Sequence, residues 1–122
     1  MIKKMQEDIA TVRKNINYDW HLANKNLREL RPYKELFELI CDTLCVNESF
    51  VNIGGAPIPY FRVREKMLSL GEEHLEYVLE CMANNTGRIG NIQAYLVKCL
   101  YNAPSTLDSW YDHQVRHDMY GC

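Results

Sequence analysis

Two histidines near the end of the chain have a spacing that could serve metal binding. His113 and His117 are four residues apart, and on a helix such side chains lie on one face, within reach of a single zinc ion. Asp112 and Asp118 lie next to them. The pattern lacks the glutamate of a zincin helix, and spacing places no third ligand. We therefore expect surface histidines on a final helix and no bound metal or other cofactor, with a metal site as the less favoured alternative.

Two cysteines, Cys41 and Cys45, are also four residues apart and could supply half of a thiolate site. Both lie beside apolar positions with helical spacing, where cysteine packs as a small hydrophobic side chain. No basic residue flanks either thiol to lower its pKa, so the sequence does not indicate a nucleophile. The five cysteines form no framework spacing, which is typical of reduced thiols in the cytoplasm.

A set of carboxylates between residues 72 and 80 could in principle perform acid–base catalysis. Their spacing is that of a solvent-exposed helix face, which is the interpretation we favour. The glycines of "TGRIG" and Gly54-Gly55 are too few for a phosphate-binding loop, and the sequence has no serine elbow, Walker motif or dinucleotide fingerprint. We expect a protein that is not an enzyme. The carboxylates are Glu72, Glu73, Glu76 and Glu80.

Basic residues in the second half of the chain could contact nucleic acid or an acidic partner. Arg62, Arg64 and Lys66 fall on the predicted outer face of one helix, and aromatic residues of the last two helices could add base stacking. The net charge of −2 argues against a dedicated nucleic-acid module, because such modules usually carry a basic surplus. Trp20 and Trp110 are candidates for a partner surface. The candidate site residues are Arg62, Arg64, Lys66, Arg88, Lys98, Arg116 and Trp110.

Apolar spacing predicts the helices that position these residues in the first part of the chain. Residues 2–16 carry apolar side chains at steps of three and four, which predicts an amphipathic helix with Asp8 among its outward charges. A short helix through Trp20 follows. Pro32 suits the first turn of the next helix, which ends near Val46.

The segment "SFVNIGGAPIPY" predicts a two-stranded hairpin that turns at Gly54-Gly55. A helix should run from Pro59 or Tyr60 to Leu68, with Phe61 and Met67 inward. We then expect a helix in "LGEEHLEYVLECMANN", a loop, and a helix that ends at Pro104, after which Ser105 or Thr106 caps the last one. The sequence predicts a mostly α domain over residues 1–122, a compact bundle of five to six helices with a small inserted β-hairpin.

Several segments resemble a known family. The pieces "HLEYVLECM", "YNAPST" and "HDMYG", and upstream "ELICDTLCVNESFVNIGGAPIP", are similar to the C-terminal domain of RepA_N-type plasmid replication initiators of Gram-positive bacteria. The resemblance is clearest over residues 18–121. The chain departs from the family pattern at "GGAPIP", which is more apolar, and at "TGRIG", which carries one basic residue where the family often carries several.

The resemblance implies a DnaD-like helical domain that engages host replication proteins such as primase or the helicase loader. The chain contains no origin-reading winged helix of the kind found in that family, so it would correspond to the C-terminal piece, either of a longer initiator or as a short stand-alone copy. We expect a cytoplasmic accessory domain of a plasmid or mobile element that recruits its partner by protein–protein docking, without membrane contact. Direct binding of single- or double-stranded DNA is the alternative, and an oligomer is compatible with either function.

Overall fold

Six helices and one short hairpin make up the chain as the computed structural model describes it, for the backbone of residues 2–84 and 91–120 and the side chains of residues 3–83 and 91–107. This confirms the prediction of a mostly α fold with a small hairpin. The elements in chain order are α1 (Ile2–Asn15), α2 (Tyr18–Asn24), α3 (Leu27–Leu44), β1 (Phe50–Ile53), β2 (Ala56–Pro59), α4 (Tyr60–Leu68), α5 (Glu72–Asn84) and α6 (Ile92–Tyr120).

Helix α3 is the central element, because it contacts α1, α4, α5 and α6. Most of its apolar side chains recur at helical spacing on one face and are almost fully buried. Burying each large aliphatic side chain stabilises the fold by roughly 1.5–3 kcal/mol. The buried side chains of α3 are Leu30, Tyr33, Leu36, Phe37, Ile40, Thr43 and Leu44.

The start of α3 differs from the prediction. The helix begins at Leu27 because Asn26 caps it: the Asn26 side chain accepts a hydrogen bond from the Glu29 N–H at 2.9 Å and donates one to the Glu29 carboxylate. Pro32 therefore lies inside the helix and not in its first turn. Pro32 is on the exposed side of α3, where the carbonyl that loses its helical donor can be hydrated.

The hairpin forms as predicted, with Phe50 paired to Pro59 and Ile53 paired to Ala56. Gly54 and Gly55 have φ angles of 60° and 88°, and a two-residue turn of this kind needs positive φ at both positions, which glycine adopts without strain. The prolines of β2 are accommodated because the sheet has only two strands and β2 is an edge.

Helix α4 has the predicted bounds but not the predicted inner face. Val63 and Met67 are fully buried, whereas Phe61 is 68% exposed. Residues 63 and 67 are four apart and share a face, while residue 61 is about 200° around the helix from residue 63. The prediction that Phe61 points inward was therefore wrong.

Helix α6 runs without interruption from Ile92 to Tyr120, although Pro104 was predicted to end it. Ala103 and Leu107 are buried on either side of the proline. Tertiary packing of this kind can offset the roughly 3 kcal/mol that an interior proline costs a helix. Ser105 and Thr106 accordingly lie within the helix and do not cap a new one. Within the described ranges, no helix combines the length and the apolar character needed to cross a membrane.

Candidate functional site

The three predicted basic residues of α4 do not share one face. Arg64 is turned toward α1 and forms two parallel hydrogen bonds with Asp8, from Nε to Oδ2 at 2.8 Å and from Nη2 to Oδ1 at 2.9 Å. Asp8 is only 6% exposed, so the prediction that it points outward was wrong. The hydrogen bond to Asp8 raises the pKa of Arg64 above its ordinary value, with desolvation acting in the opposite direction. Arg64 is thus engaged inside the fold.

The cleft around this pair has a volume of about 480 Å³ and is lined in part by Met5, Asp8, Tyr60 and Arg64. The Asp8 carboxylate and the Arg64 guanidinium bind each other, and Lys4 and Glu48 are the other charged residues that line the cleft. The Tyr60 hydroxyl donates to the Leu44 carbonyl at 2.6 Å. We interpret this cleft as the junction that fastens α1 to α4.

The other predicted basic residues are placed separately. Arg62 is exposed. Lys66 donates to the Ser105 hydroxyl at 2.7 Å and so links α4 to α6. The aliphatic part of Lys98 lies against the hairpin turn, where a β-carbon on Gly54 would come within 3.1 Å of the lysine Cδ. The structure therefore does not bring the basic residues into one groove within the part of the chain that it describes.

The remaining predicted residues lie outside the described side chains. Arg88 belongs to residues 85–90, which are not described. Trp110, Arg116 and the two histidines His113 and His117 fall in the part of α6 for which only the backbone is described.

Of the two cysteines at the C-terminal end of α3, Cys41 has the properties of an unreactive thiol. Burial, and to a smaller extent the nearby Cys45, Asp42 and Glu38, raise the pKa of this thiol to about 11, with Arg13 acting in the opposite direction. A thiol with that pKa stays protonated at neutral pH and is a poor nucleophile and metal ligand. Cys45, one turn further along, is exposed.

A buried histidine, which sequence reasoning missed, fixes α2 against the rest of the bundle. His21 is 2% exposed, and its Nε2 lies 2.8 Å from Oε1 of Glu72 on α5. Its ring stacks on Tyr33 with centroids 4.0 Å apart, and its Nδ1 is buried without a hydrogen-bond partner among the described side chains. Glu72 is therefore not simply part of a solvated acidic face. A polar residue in a short helix gives no local signal for such a long-range contact.

Exposed apolar side chains lie on α2 and at the start of α3. Trp20 is 52% exposed and Leu27 is 87% exposed, and Leu22 is also exposed. Leu22 and Leu27 line a cleft of about 340 Å³ together with Arg31 and Lys34. Trp20 does not line this cleft, because it lies about 200° around α2 from Leu22. We give the name α2–α3 surface to five residues, which are Trp20, Leu22, Leu27, Arg31 and Lys34.

Comparison with protein families shows where the chain belongs. A family described as a family of unknown function, DUF6017, matches residues 2–122. The chain is a member of this family. No curated protein and no solved structure matches it. The DUF6017 match extends over every element from α1 to α6, so the buried pairs and the α2–α3 surface all lie within it.

The reactive side chains described in this DUF6017 domain are mostly used within the fold. Asp8 binds Arg64, and His21 binds Glu72. Within residues 3–83 and 91–107, no group of three or more histidine, cysteine or carboxylate side chains could hold a metal ion. What this arrangement offers to other molecules is its surface, and above all the apolar side chains around Trp20.

Proposed function

We propose that this domain is the accessory domain of a replication initiator from a plasmid or other mobile element, and that it recruits a host replication protein by direct docking. Primase and the helicase loader are the partners that the resemblance implies. The observation that carries the docking is the α2–α3 surface. The assignment to replication is supported by the "YNAPST" and "HDMYG" segments and the upstream similarity.

The exposed apolar side chains of this surface are close together in sequence. Three exposed large hydrophobic residues, Trp20, Leu22 and Leu27, fall in one short stretch, whereas the others in the described ranges are distant from it in sequence. Leu22 and Leu27 line one cleft with Arg31 and Lys34, and apolar patches with polar rims mark interaction sites. Tryptophan is enriched among the residues that carry most of the binding energy, and arginine is enriched with it. The remaining exposed large hydrophobic residues of the described ranges are Phe50, Phe61 and Ile92.

The fold holds this surface in a fixed arrangement. The His21–Glu72 contact fastens α2 to α5, and the Asn26 cap fixes the start of α3. Trp20 is also held by an edge-to-face contact with the His21 ring, with centroids 5.1 Å apart. A partner that meets preorganised side chains loses less entropy on binding. These contacts therefore favour docking without a preceding rearrangement.

Replacing Trp20 with alanine should weaken binding of the partner about 30-fold, because truncation of an aromatic anchor costs about 2 kcal/mol. Leu27→Ser should also weaken binding of the partner. The measurement is biolayer interferometry with purified host primase and helicase loader. Phe61→Ala is the matched control, since it removes an exposed aromatic side chain from α4, and it should bind like the wild type. An equal loss of affinity in the Trp20 and Phe61 variants would contradict the proposal. So would the absence of binding to both primase and the helicase loader.

The alternative function is DNA binding by α4, and one observation favours it. Phe61 and Arg62 are consecutive and both exposed, a combination of ring and cation that suits single-stranded nucleic acid. If α4 binds DNA, Arg62→Glu should weaken binding while Arg28→Glu on α3 should not, and affinity should fall steeply with salt. Fluorescence anisotropy with labelled single- and double-stranded DNA tests this. No binding at low salt would exclude the alternative.

A further inference from the structure

A second groove lies between the C-terminal half of α3 and the first turns of α6. It consists of two adjoining clefts of about 340 and 330 Å³ that share Leu39, Asp42 and Gln93. None of the residues that line it belongs to the α2–α3 surface. We call it the acidic groove, because three carboxylates line it.

The lining of the acidic groove combines an apolar floor with carboxylates of one sign. Glu35, Glu38 and Asp42 project from α3 along one stripe of the helix, and no described lining residue is a lysine or an arginine. Residues at i, i+3 and i+7 lie on the same side of a helix. The apolar side chains that line the two clefts are Leu39, Val46, Val51, Met82, Ile92, Ala94, Leu96 and Val97.

These carboxylates lie where the fold itself does not favour them. The C-terminal end of a helix carries partial negative charge and is stabilised by cations, yet the last turn of α3 contains no basic residue and does contain Asp42. Glu35 has an ion pair with Arg31 at 3.4 Å. Glu38 and Asp42 have no cation within 4.0 Å among the described side chains. Among the described side chains, the potential around Glu38 and Asp42 is therefore negative.

The half-buried thiol of Cys41, which precedes Asp42, is consistent with that potential. Asp42 and Glu38 both contribute to raising the pKa of Cys41, after burial and Cys45. A negative field disfavours a thiolate in the same way that it favours a nearby cation.

We propose that the acidic groove binds a cationic amphipathic helix of a partner protein, with apolar side chains on Leu39 and Val97 and lysines or arginines opposite Glu38 and Asp42. A groove between two helices with an apolar floor accepts the apolar stripe of a third helix. The carboxylates repel nucleic acid and anionic membrane surfaces and attract a basic segment. This docking is independent of the α2–α3 surface and of the replication assignment.

The test uses a fluorescein-labelled peptide of about 18 residues, roughly five helical turns, with leucine and lysine at amphipathic spacing. Anisotropy is measured at about 150 mM salt, where unspecific long-range attraction is screened. Binding to the variant Glu35→Gln/Glu38→Gln/Asp42→Asn should be at least about tenfold weaker than to the wild type. A peptide in which glutamate replaces every lysine should not bind.

The matched control is Glu7→Gln/Glu76→Gln/Glu80→Gln, which removes the same charge from three exposed carboxylates on α1 and α5. It should bind the cationic peptide within about twofold of the wild type. Equal weakening in the two triple variants would show attraction by net charge alone and would overturn the proposal. Absence of binding, or equal binding of the anionic peptide, would overturn it as well.

A single substitution supplies a second, independent readout. Ala94 is exposed on α6 within the groove, and arginine has high helix propensity, so Ala94→Arg should preserve the fold. The new guanidinium would occupy the groove and pair with its carboxylates. We expect loss of peptide binding with an unchanged circular dichroism spectrum. Unchanged affinity in this variant would place the peptide elsewhere and contradict the proposal.

Discussion

Arg64→Met is expected to lower the free energy of unfolding by about 2–3 kcal/mol. The substitution keeps much of the aliphatic packing but leaves the Asp8 carboxylate without its two hydrogen bonds at a site that is only 6% exposed. Removing one partner of a fully buried ion pair typically costs about 3–5 kcal/mol, because the other charge stays desolvated. The Arg64 side chain is 32% exposed, so water can reach part of this pair and the expected cost is smaller. Urea denaturation followed by circular dichroism measures the change.

The neighbouring variant Arg62→Met is the control, since Arg62 is on the same helix but exposed. Its effect should stay within about 0.5 kcal/mol. Asp8→Leu combined with Arg64→Met should recover most of the lost stability, because a well-packed apolar pair can replace a buried ion pair at little cost. Similar small losses in Arg64→Met and Arg62→Met would show that the Asp8 contact is not formed in solution.

The elements that were predicted correctly are those specified by local chemistry. The hairpin follows from Gly54 and Gly55, because only a residue tolerant of positive φ allows a two-residue turn between short strands. The helix stripes follow from spacing alone, and Val12, Ile40 and Leu100 are buried where the stripes require it.

The errors arose where tertiary packing overrides a local signal. Pro104 is a strong stop signal, but burial of Ala103 and Leu107 keeps α6 continuous through it. Phe61 is apolar and was assigned inward, yet the direction of α4 is fixed by Val63 and Met67 on the opposite side. Propensity is a weak guide once packing decides which face is covered.

The candidate site was only partly predictable for the same reason. Trp20 was singled out from its residue type, and the structure places it on the surface. The engagement of Arg64 was not foreseeable, because its partner Asp8 is 56 residues away in sequence. The His21–Glu72 contact spans 51 residues. Pairings at such separations depend on how the helices pack and leave no periodic signal in a single sequence.

Tyr33→Ala is expected to destabilise the protein by about 4 kcal/mol, the range for removing a buried aromatic side chain from a core. Tyr33 is 1% exposed, and its ring stacks on His21. Its hydroxyl donates to the backbone carbonyl of Ile16 at the end of α1. The side chain therefore joins α1, α2 and α3, and its loss should also reduce docking through the α2–α3 surface. Calorimetric unfolding measures the stability.

Tyr33→Phe separates the hydroxyl from the ring. It leaves the Ile16 carbonyl without its donor and should cost about 1–2 kcal/mol. A cost as large as that of Tyr33→Ala would mean that the hydrogen bond, and not the packed ring, joins the three helices. A cost near zero would mean that the hydroxyl has no buried partner in solution.

The wild type and Tyr33→Phe are also expected to differ in how their stability depends on pH. Burial raises the pKa of Tyr33, and the negative charges of Glu72 and Glu76 raise it further. Unfolded tyrosine ionises near pH 10, so the native state holds the proton more tightly. The resulting stabilisation is fully present below pH 10 and is lost as the pH rises through the higher native value. Wild-type stability should therefore fall more steeply above pH 10 than that of Tyr33→Phe, which cannot ionise at this position. Parallel decline in the two proteins would show that the hydroxyl is solvated, contrary to its contact with Ile16.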